Sequence, residues 1–139
     1  MSKENNAKLR TSIDAIETGY EFMLAYAAQG LDFENTSGGG GPSVRIYLNG
    51  LKEALQSIAD DFENEINDEV ESDAKLFLGY IEVLRDDAQK SLKAVEMVLS
   101  LPSIGSQVID NLNASIHIRA LLTDIFLIDE AYTSLSRKP

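Results

Sequence analysis

The chain of 139 residues has no cysteine, no tryptophan, a single histidine, three prolines, and 12 basic side chains against 23 acidic ones. Each scarcity excludes a chemistry. Without cysteine there is no disulfide framework, no zinc knuckle, no thiolate nucleophile and no cysteine-held iron–sulfur cluster. With one histidine a ferritin-like di-iron centre cannot be built, because it takes two Glu-x-x-His motifs and the residue three before His117 is Ala114. A formal charge of −11 opposes contact with nucleic-acid phosphates or an anionic membrane and steers in a basic partner. No apolar run approaches the roughly 20 residues of a bilayer span. Met1 to Arg10 is polar and lacks the apolar core of a secretory leader, so the cytoplasm is the expected compartment.

Length and hydrophobic content are sufficient for one domain. A chain of this size buries on the order of two-thirds of its unfolded surface, which requires neither metal nor disulfide. Apolar residues then set the secondary structure, and the period is helical throughout. Leu9, Ile13, Ile16, Tyr20, Met23 and Ala27 alternate spacings of four and three. The rule recurs in Val44, Leu48, Leu51, Leu55, Ile58 and Phe62, in Val70, Ala74, Phe77, Ile81, Leu84 and Ala88, and in Leu121, Ile125, Ile128, Tyr132 and Leu135. No alternating β-branched run occurs. The expectation is an all-α, antiparallel up-down-up-down four-helix bundle with helices over about 5–28, 43–65, 69–100 and 103–136.

The connections are marked unequally. Residues 30–42, with four consecutive glycines before Pro42, read as a mobile loop, and Pro42 is suited to the first position of a helix. Pro102 stops the third helix, and Ser103 can cap the fourth. The turn near Glu65 to Asp68 is marked weakly, with Asp68 and Glu71 as a capping box and Ser72 as a rival cap. This order puts the second turn and both termini at one bundle end, and the glycine loop and the Pro102 turn at the other.

Acidic residues crowd that second turn. Asp60, Asp61, Glu63, Glu65, Asp68, Glu69, Glu71 and Asp73 fall within fourteen residues, with no Lys or Arg between Lys52 and Lys75. The plain expectation is a solvated patch. Calcium chemistry does not fit it: an EF-hand register from Asp61 puts Ile66 where the turn wants Gly and Ser72 where it wants Glu. No metal or other cofactor is expected.

The last helix is apolar nearly all round. Ten of the fifteen residues from Ala114 to Ile128 are apolar, more than one bundle seam can bury. The expected outlet is a symmetric homodimer through Ile116, Ile118, Leu121, Leu122, Ile125, Phe126 and Leu127. Asp110, Asn113, His117 and Asp124 recur at spacings that place them on one face, a polar stripe able to set the register of that contact and make it pH-sensitive. The glycine run with Arg45 one turn into the next helix could bind an anion, but no Lys-Ser/Thr follows the glycines, so it is not a phosphate loop.

These observations point to a non-enzymatic interaction module, an acidic adaptor or chaperone-like accessory factor. It would bind itself and a second protein through a basic or amphipathic helical segment. An alternative is a metal-dependent hydrolase or ion-binding bundle with interior carboxylates, for which Glu17, Glu21, Glu53 and Glu82 are the positions to inspect. A third is phosphotransfer on His117. That chemistry wants a basic residue and then Gly at the third and fourth positions after the histidine, and this chain has Ala120 and Leu121, with Arg119 one place early.

Overall fold

The computed structural model describes residues 2–35, 43–68 and 75–135. Among them the chain is all-helical, in five helices and not the expected four: α1 (Ser2–Ala28), α2 (Val44–Asn67), α3 (Lys75–Leu99), α4 (Ser106–Ala114) and α5 (Ile116–Leu135). No described residue is in a strand.

The periodic seams supply the core. Leu9, Ile13, Ile16 and Met23 of α1 are buried, as are Val44, Leu48, Leu51, Leu55, Ile58 and Phe62 of α2. Ile81, Leu84 and Ala88 of α3 join them with Leu121, Ile125 and Ile128 of α5. Packed this way, each helix owes its stability to its apolar face more than to intrinsic propensity.

Contacts between helices pair rising with falling residue numbers. Along α1 and α2, Asn5 donates to Asp68 at 2.6 Å, Ser12 donates to Asp61, and the rings of Phe22 and Tyr47 stack with centroids 4.0 Å apart. Along α2 and α3, Asp60 pairs with Arg85 at 2.7 Å and Lys52 reaches Glu96 at 4.0 Å. Along α3 and α5, Tyr80 meets Asp124 and Phe77 meets Tyr132 edge to face. Arg10 grips Asp129 through both guanidinium nitrogens, tying the start of α1 to the end of α5.

The expected single helix over 103–136 is interrupted at Ser115, whose φ of −58° and ψ of 132° leave the helical region. Ser115 ends one helix and starts the next. Its N–H donates to Leu112 O at 3.1 Å, and its Oγ accepts from the His117 N–H at 3.2 Å. A serine hydroxyl offers the backbone this alternative to an unbroken ladder. The interruption lets α4 pack on α1 while α5 packs on α3.

The opposite end is closed by side chains. Arg45 donates to Glu34 Oε2 at 2.9 Å, to Leu99 O at 3.0 Å and to Leu101 O at 2.7 Å, so it satisfies carbonyls left open at the C-terminus of α3. Tyr26 donates to Ile104 O at 2.6 Å, and Ser106 Oγ donates to Tyr26 O and accepts from Leu31 N–H. Ser103 is not the cap of the last segment. Its hydroxyl accepts from the Glu34 N–H at 2.9 Å, and Gly105 is the N-cap of α4. A Cβ at Gly105 would stand 2.7 Å from Asp32 O, which explains a glycine there. Ser43 caps α2 by accepting from Ile46 N–H at 3.3 Å; Pro42 and the glycine run lie outside the described residues. Asp68 is the C-cap of α2 and not the N-cap of the following helix; Glu71 and Ser72 lie outside the described residues.

Candidate functional site

The apolar circumference of the last helix is divided between inside and outside. Ile118, Leu121 and Ile125 are buried in the chain's own core and Leu122 packs half-buried against it, so these four do not form an outward contact surface. The reason is geometric: α5 lies on α3, and the half of its apolar surface facing that helix is consumed there. Ile116, Phe126 and Leu127 point outward, 73 %, 52 % and 53 % exposed.

On α3, Leu76 and Val83 are exposed as well, neither of them expected at a contact surface. Between the two helices runs a groove of about 170 Å³ lined by Leu76, Phe77, Tyr80, Leu127, Ile128 and Ala131. An apolar groove edged by exposed Leu76 and Leu127 is the kind of surface that marks a contact site.

The polar stripe is taken apart by the interruption at Ser115. Asp110 and Asn113 belong to α4, His117 and Asp124 to α5. Asp110 is exposed beside a hollow of about 240 Å³ that Leu31 and Asp32 also line. Asn113 is buried, and neither its Oδ1 nor its Nδ2 finds a hydrogen-bond partner. His117 is exposed at the second position of α5. Asp124, like Asn113, faces inward.

Asp124 is 4 % exposed, and its Oδ1 accepts the Tyr80 hydroxyl at 2.8 Å. Its Oδ2 finds no donor; the neighbouring group is a second carboxyl, Asp87 of α3. Burial pushes the Asp124 carboxyl up to about 7, and the adjacent Asp87 carboxyl adds to the rise while the Tyr80 hydroxyl opposes it. The Tyr80 hydroxyl is itself raised, first because it gives its proton to Asp124 in a hydrogen bond. Asp124 also lines a shallow depression of about 390 Å³ with Ile116, Arg119, Ala120 and Thr123.

The acidic patch is neither uniform nor fully solvated. Asp61 is buried and receives hydrogen bonds from Ser12 and from Ser57 at 2.9 Å, with Lys8 at 3.8 Å. Glu65 is buried, and the Tyr132 hydroxyl donates to its backbone carbonyl at 3.3 Å. Arg85, from the next helix, forms ion pairs with Asp60 and Glu63 at 2.7 Å each. Asp68 accepts from Asn5, and Glu69 lies outside the described residues. The cations that the local sequence lacks arrive from α1 and α3.

Two further expectations are corrected. Arg45 cannot serve an anion at the glycine run, since Glu34 and two carbonyls occupy its guanidinium. Of the four acids named for inspection under the hydrolase alternative, Glu21, Glu53 and Glu82 are exposed. Glu17 is half-buried with its carboxyl raised, chiefly by burial and then by Asp14 and Glu21. Among the described residues the interior acids are Asp61, Glu65 and Asp124. Among the described residues no three His, Asp or Glu side chains are grouped to hold a metal ion, and no helix is long and apolar enough to cross a membrane.

No family model matches the chain, and neither curated proteins nor solved structures give a match.

Proposed function

We propose that the chain is a non-enzymatic interaction module that self-associates through the outward face of α5 and the adjoining edge of α3. In this reading it is an antiparallel bundle of four legs, the fourth broken at Ser115, and works in the cytoplasm as an acidic adaptor or chaperone-like accessory factor. The observation that carries it is the apolar groove between α3 and α5, flanked by the exposed Leu76 and Leu127, with Ile116 and Phe126 also exposed on α5. An apolar groove with large exposed side chains at its edges is costly in water unless covered. The net charge of −11 keeps such a module soluble and favours a basic segment as its second partner.

The test is a binding measurement on surface variants. Leu127→Glu, at an exposed position, should leave the fold intact by circular dichroism and shift the dimerisation constant about tenfold or more. An unchanged constant would contradict the assignment of this face.

A second reading, acid–base chemistry on interior carboxylates, has one observation in its favour: the Asp124 carboxyl is held near neutrality beside an open depression. Loss of a hydrolytic activity in Asp124→Asn, with folding retained, would favour it over the interaction module.

A further inference from the structure

Near its contact with α3, α5 carries a buried carboxyl with one unfilled hydrogen-bond position and, a turn away, an exposed cation that forms no ion pair among the described residues. Asp124 is nine-tenths buried with no donor for Oδ2, and its neighbour Asp87 is another carboxyl. Arg119, five residues earlier, is exposed and forms no ion pair among the described residues. Both line the same depression, yet the cation does not bond the carboxyl.

Their positions are those of a coiled-coil pair. Ile116, Ala120, Thr123 and Leu127 follow spacings of four, three and four, the seam of a two-stranded coil, and all four reach the surface. On that register Arg119 and Phe126 occupy the flanking position g, and Asp124 and Ala131 the flanking position e. In a parallel pair, g of one helix lies beside the e position five residues later on the other. Arg119 then reaches Asp124, and Phe126 reaches Ala131. The second match is independent of the first: Ala131 lines the empty apolar groove of about 170 Å³ between α3 and α5, a space suited to an aromatic ring. An antiparallel pairing would instead set e beside e and g beside g, bringing like charges together.

We propose that a second copy of this chain docks in parallel along α5, its Arg119 closing the Asp87–Asp124 carboxyl site and its Phe126 filling the groove beside Ala131. The inference rests on the self-association reading and adds to it the direction of the pair and the residues that fix it.

Sedimentation and cross-linking of the full chain test it. The native sequence has no cysteine, so Ile116→Cys introduces a lone thiol. A parallel pair brings the two thiols together across the seam and forms a disulfide-linked dimer under mild oxidation. An antiparallel pair centred between Ala120 and Thr123 holds them about 16 Å apart along the axis and forms none. Arg119→Glu should weaken the dimer about tenfold or more, and adding Asp87→Lys to it should recover most of the loss. Asp87 is only half-buried, so this variant does not depend on replacing the buried Asp124. A dimer that resists cross-linking, or one indifferent to Arg119→Glu, overturns the parallel arrangement and leaves self-association standing. A monomer under all conditions overturns both.

Discussion

Asp124 sits in an environment unlike that of a surface carboxylate, and the consequence is a measurable pH dependence. Its folded-state carboxyl titrates near 7 against an ordinary value of 3.8, so between these limits the folded chain holds a proton that the unfolded chain has released. The contribution is therefore complete below about pH 4 and is lost as pH rises toward 7. Asp124→Asn retains an acceptor for Tyr80 and removes the titration. Urea unfolding of dilute, monomeric protein should give a flatter stability profile for the variant between pH 4.5 and 7; equal slopes would refute the assignment. Arg45 provides a second test at this scale. Arg45→Met strips Glu34 and the carbonyls of Leu99 and Leu101 of their donor and should cost about 1–3 kcal/mol in the same experiment. Neither environment was legible in the sequence. Tyr80 and Asp87 lie far from Asp124 in the chain, and Glu34 meets Arg45 only because the loop after α1 folds back over the end of α3.

At the scale of elements, periodicity was a sufficient guide where one helix presents one seam. The seams from Leu9, Val44 and Leu121 are buried largely where the spacing put them, since a four-three repeat admits one inward face. It failed at Ser115. The residues around it suit a continuous helix on pattern alone, and the interruption depends on α4 finding α1 while α5 finds α3, a tertiary preference that local spacing does not encode. Nor could the all-round apolarity of the last segment say which half would be covered. The charges of the second turn were legible as a cluster but not in their pairing, because Arg85 lies 25 residues from Asp60. The junction can be tested directly. Ser115→Ala removes the hydroxyl that accepts from His117 N–H and should lower stability by about 1 kcal/mol, an N-cap loss measurable by chemical denaturation. A stabilised variant would mean that the break is not held by that cap.

For the whole molecule, the distribution of charge and apolar surface divides the labour. Buried seams and the contacts of Arg10, Arg45 and Arg85 hold the helices together, and most of the remaining acids face water. The outward edge of α3 and α5 combines exposed large apolar side chains with a groove and a buried carboxyl whose Oδ2 finds no hydrogen-bond partner. Covering that edge is the central claim, and sedimentation equilibrium of the full chain over a hundredfold concentration range tests it most directly. The account predicts a mass that rises from that of the 15.3 kDa chain to twice that value, with the rise suppressed in Leu127→Glu. A single monomer mass throughout the range would contradict it.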